Sequence, residues 1–81
     1  MKFELFLKRC QDESTVGDFE SYLSYCIFEK AGGRPNECSL EMYSFIRDRA
    51  FESRDEEAAR RLYDLAEASD WKDDEWEGAL R

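Results

Sequence analysis

A chain of 81 residues gives room for one hydrophobic core and not for two, so a single domain spanning residues 1–81 is expected. With 42% hydrophobic and 15% aromatic residues it is too apolar for a disordered acidic tail, and its formal net charge of −8 excludes direct nucleic-acid binding, which depends on Lys and Arg displacing counterions. Three widely spaced cysteines, Cys10, Cys26 and Cys38, without a CxxC pair exclude a disulfide framework or zinc site, and no window approaches the roughly 20 apolar residues of a membrane span, so a cytoplasmic protein is expected.

Phe3, Phe6, Leu7 and Cys10 follow the i, i+3, i+4, i+7 spacing of a helix that buries one stripe. The polar run Gln11 to Ser14 ends it. Thr15 is placed to cap a second helix with Asp18 in its first turn, and Val16, Phe19, Tyr22, Leu23, Cys26 and Ile27 share one face of that helix. Gly32, Gly33 and Pro35 mark the loop that follows. Ser39 is the expected cap of a third helix, whose stripe of Met42, Tyr43, Ile46 and Ala50 is broadened by Phe45. Ser53 and Glu56 form a capping-box pattern before a fourth helix that turns Ala59, Leu62, Tyr63 and Ala66 inward. Asp70 is placed to cap a last segment carrying Trp71, Trp76, Ala79 and Leu80. The expected fold is all-α: four to five short helices around Phe3, Phe6, Leu7, Phe19, Leu23, Ile27, Met42, Ile46, Leu62 and Leu65.

The chain has no histidine, and with it lacks the commonest general base, metal ligand and activator of Ser or Cys nucleophiles. Gly32-Gly33 is not followed by the Lys-Ser/Thr of a phosphate-binding loop. Asp70, Asp73, Asp74 and Glu75 are hard oxygen ligands close together, yet they lack the spacing and central glycine of an EF-hand. The expectation is a non-enzymatic protein with no cofactor and no metal.

From Asp55 to Glu77 ten carboxylates meet only three basic side chains, Arg60, Arg61 and Lys72. Pairs four apart, Glu56 with Arg60, Glu57 with Arg61 and Arg60 with Asp64, lace one helix face and call for no partner. Glu67, Asp70, Asp73, Asp74, Glu75 and Glu77 have only Lys72 among them. Helical neighbours about 5–6 Å apart approach the spacing of phosphates along a strand, so this array is suited to imitate a nucleic-acid backbone. Trp71 and Trp76, the latter between Glu75 and Glu77, are candidate anchors for an interface, with closure of the core as their other use. The expected site is therefore Glu67, Asp70, Trp71, Asp73, Asp74, Glu75, Trp76 and Glu77. Its expected partner is a larger protein with a basic surface, met by a monomer or homodimer.

The opening Phe3-x-x-Phe6-Leu7, the polar step Gln11 to Ser14 and Val16-Gly17-Asp18-Phe19 resemble the start of the YozE-like small helical proteins, whose fold is related to the sterile alpha motif. Tyr43-Ser44-Phe45-Ile46 and the stretch Glu56 to Leu65 stand where that family's third and fourth helices fall, whereas the Gly-Gly-Arg-Pro loop and the Trp-rich acidic end depart from its pattern. The resemblance implies a helical bundle with an interaction role and carries over no catalytic residue. Two functions are thus expected. One is an acidic inhibitor that covers a basic, nucleic-acid-binding surface, of the kind phages use as anti-CRISPR proteins against bacterial defence. The other is a helical adaptor that docks or self-associates through an apolar face of its second and third helices, its acidity incidental.

Overall fold

In a computed structural model describing residues 2–30, 38–69 and 71–80, the chain forms α1 (Lys2–Gln11), α2 (Val16–Lys30), α3 (Leu40–Phe51), α4 (Glu56–Ala68) and α5 (Asp73–Leu80). No strand occurs among the described residues, so the all-α bundle expected from the stripes is what the chain adopts. A Cα radius of gyration of 11.3 Å is close to the roughly 12 Å of a compact chain of this length.

The ten-residue α1 packs against each of the other four helices. Its Phe6 and Cys10, one turn apart, are fully buried. Phe6 meets Phe19, Tyr63 and Trp76 edge-on at centroid distances of 5.6, 5.5 and 5.9 Å. Trp76 lies 4.7 Å from Tyr63 and 4.5 Å from Trp71, so α1, α2, α4 and the C-terminal segment close on one aromatic nest. Such pairs add about 0.5–1.5 kcal/mol each beyond the area they bury.

Caps fix where the helices begin. Asp12 closes the α1–α2 turn by accepting from Ser14 N–H (3.0 Å) and Ser14 Oγ (2.7 Å), bonds that hold its carboxyl below the usual range. The Thr15 carbonyl then takes the first helical bond of α2, from Phe19 N–H at 3.0 Å. Ser39 Oγ accepts from Met42 N–H at 3.1 Å, as its position before α3 predicts. At α4 the cap is Asp55 and not Ser53: its Oδ1 accepts from Glu57 N–H (3.0 Å) and Ala58 N–H (3.2 Å). The reason is Arg54, held at φ 53° in the left-handed region, which delays the entry into helical geometry by two residues beyond Ser53. Arg54 Nη1 donates to the carbonyl of Cys10 at 3.1 Å and to that of Phe51, tying the α3–α4 turn to the end of α1.

Three further expectations are corrected. Met42, assigned to the core, is 59% exposed, and Phe45, expected to broaden the inner stripe, is 60% exposed. Tyr43, Ile46 and Ala50 fill the inner face of α3, and with about 100° of rotation per residue Met42 and Phe45 fall on its flank. Tyr22 is exposed as well, although its ring lies 6.1 Å from that of Trp71. Phe3, Leu7 and Leu65 lie half-buried against the core. The glycine-proline loop at 32–36 and the proposed cap Asp70 lie outside the described residues. Among the described residues no helix is long and apolar enough to cross a membrane.

Candidate docking surfaces

The residues expected to form the binding face separate into two groups. Trp71 and Trp76 are 6% and 1% exposed, so neither indole is offered to a partner. Core closure has won because α5 lies on α1 and points Trp76 between Phe6 and Tyr63. The carboxylates remain outside. Asp73, Asp74 and Glu77 are exposed, and helical rotation puts them within one arc opposite Trp76 and Ala79. Glu67 is exposed near the end of α4, and Asp70 lies outside the described residues.

Several of these carboxylates have intramolecular work. Asp73 pairs with Lys2, whose hydrogen bond and charge hold its carboxyl below the usual range. Glu75 Oε2 accepts from Lys72 N–H at 3.3 Å, the reciprocal half of a capping box that starts α5. Burial pushes the Tyr63 hydroxyl up to about 12, with the Glu67 carboxylate bonded beside it adding to the shift. Asp74 makes no ion pair with a described residue. Of the three predicted pairs along α4, Arg60 and Asp64 approach to 4.0 Å, while Arg60 stacks over Phe3 at 4.5 Å and no described ion pair joins it to Glu56.

A second surface lies between α3 and α4, where Met42, Phe45 and Ile46 face Arg61, Asp64 and Leu65 across a depression of about 420 Å³. Further depressions continue it, one of about 440 Å³ past Ser39 and Glu41 at one end and one of about 150 Å³ past Ala58 and Glu57 at the other. Cys38 lies at its edge with its thiol pushed up by partial burial, the opposite of an activated nucleophile. Arg49 bonds Asp55 from Nη2 at 3.0 Å and from Nε at 3.2 Å, closing the turn end of the groove. Arg61 makes no ion pair with a described residue.

The signal for this groove was present in the sequence as crowding. Leu40, Met42, Tyr43, Phe45, Ile46, Ala50 and Phe51 fall within twelve residues, more than one inward stripe can hold. Comparison of the chain with protein-family models, with curated proteins and with solved structures gave no match.

Proposed function

We propose that the protein is a non-enzymatic binding module that docks on a larger, basic partner and blocks or tunes it, with the α3/α4 groove as the centre of contact. The observation that carries this reading is the exposure of Met42 and Phe45, 59% and 60%, beside an open depression on a capped hairpin. Large apolar side chains at the centre with charged residues at the rim are the composition of a protein interface. The net charge of −8 favours a cationic partner and speeds the encounter. A nucleic-acid-binding protein has such a surface, so inhibition of the kind phages direct at bacterial defence falls within this reading.

The second reading gives the contact to the carboxylates of the C-terminal end, as an imitation of a nucleic-acid backbone. It is favoured by the shared outward arc of Asp73, Asp74 and Glu77. Capture of partners from cell extract at low and high salt separates the two. The double variant Met42→Ser/Phe45→Ser is expected to lose a captured basic protein. Asp73→Lys/Asp74→Lys is expected to weaken capture in a salt-dependent way, and more than reversal at Asp12 and Glu13 does. Capture indifferent to the groove variant but abolished by reversal at Asp73 and Asp74 would move the site to the C-terminal end.

A further inference from the structure

The groove has a length, a rim and an absence of strand edges that together narrow its occupant. α3 is twelve residues long, so the groove beside it runs about 18 Å, roughly three turns of a helix laid along it. A peptide bound as an added strand needs an unpaired sheet edge, and the described residues contain no strand. A polyproline segment needs an aromatic-lined groove, and among the described residues Phe45 is the only aromatic ring facing this one. The described rim carries Glu41, Glu57 and Asp64, the last within 4.0 Å of Arg60, against Arg61, while Arg49 is matched by Asp55. A second copy would bring the same anionic rim and another charge of −8 against the first.

We infer that the α3/α4 groove receives one amphipathic helix of a partner, with apolar residues at i, i+3 or i+4, and i+7 packed over Met42, Phe45 and Leu65 and with Lys or Arg along its flanks. This rests on the binding reading above and names the occupant of that site. Anchors at that spacing form one stripe of a helix, which matches a floor made from the flanks of two helices. Flanking cations meet Glu41, Glu57 and the Asp64 carboxylate beside Arg60, and among the described residues Arg61 is the one unpaired rim cation that opposes them.

The test is selection from a displayed library of unpatterned 14-residue peptides on the whole protein, with counter-selection on Met42→Ser/Phe45→Ser, whose unchanged helicity by circular dichroism shows an intact fold. Enriched peptides are expected to be cationic with apolar residues at helical spacing. Labelled copies are expected to bind the double variant about tenfold more weakly or worse. Arg61→Glu should tighten them and Asp64→Lys weaken them, each by about two- to fivefold. Acidic or neutral binders, apolar residues at alternate positions, or no enrichment over the counter-selected variant would overturn the inference. So would a dimer in sedimentation that the double variant abolishes, since the groove would then belong to a second copy. If the selection fails while capture from extract still depends on Met42 and Phe45, the helical occupant falls and the groove stands. If both fail, the groove falls with it.

Discussion

Trp76 and Phe45 exchange the places their neighbours suggest. Trp76 stands between two glutamates in the most acidic stretch of the chain and is 1% exposed, whereas Phe45 stands beside Ile46 in an apolar stretch and is 60% exposed. Helical phase decides both outcomes. Glu75 turns back to cap α5, Asp73, Asp74 and Glu77 take the outer arc, and the indole is left facing α1. On α3 the inner arc is already filled by Tyr43, Ile46 and Ala50, so Phe45 is left on the flank. The C-terminal region is thus an aromatic core under an anionic surface, and the α3/α4 hairpin a capped scaffold that leaves apolar groups uncovered.

The sharpest way to break this contrast is to truncate both residues. Trp76→Ala is expected to cost about 3–5 kcal/mol in urea denaturation, most of the stability of a domain this small. Phe45→Ser should change stability by no more than about 0.5 kcal/mol, because it removes a solvent-facing group. Equal losses at the two positions would abolish the distinction.

Alkaline pH probes the core around the nest. Burial pushes the Cys10 thiol from an ordinary 9.0 up to about 12, and it raises Tyr63 from 10.0 to about 12 as well. The unfolded chain therefore releases these protons first, and the stability they contribute, complete below pH 9, is lost progressively as pH rises toward about 12. Cys10→Ala should flatten that decline between pH 9 and 10, followed by near-ultraviolet circular dichroism of the tryptophans. A profile unchanged by the substitution would place Cys10 in a wetter site than the structure gives it.

A modest effect belongs to the hairpin turn. The N–H of Ala58 and the Arg49 guanidinium hold the Asp55 carboxyl below its ordinary 3.8. Its contribution is present above that value and lost as pH falls through the lower folded one. Asp55→Ala should lower Tm at neutral pH by a few degrees and converge with the parent protein in acid, while Asp55→Asn, also a good cap, should lose less. A difference that persists undiminished at pH 2 would mean that the cap acts through packing and not through its charge.

How much of this was legible depends on the kind of signal. The order of the helices, the Ser39 cap, the inward residues of α4 and, apart from Tyr22, those of α2 follow from spacing and capping chemistry, which are local. The start of α4 was misplaced at Ser53 because the left-handed turn at Arg54 depends on a carbonyl 44 residues away in sequence, that of Cys10. The exposure of Met42 and Phe45 and the burial of both tryptophans depend on which flank another helix covers. Periodicity identifies a stripe without telling which of two adjoining arcs is covered.

If the groove binds as proposed, the Arg54 tether bears on how fast and how tightly its occupant is held. With the turn fastened to the end of α1, α3 and α4 keep their separation before any ligand arrives. Neither wall has to be assembled during recognition, so the ordering entropy of the complex falls on the incoming segment alone. Residence time would then be set by how well that segment fits, with little contribution from reshaping of the receptor.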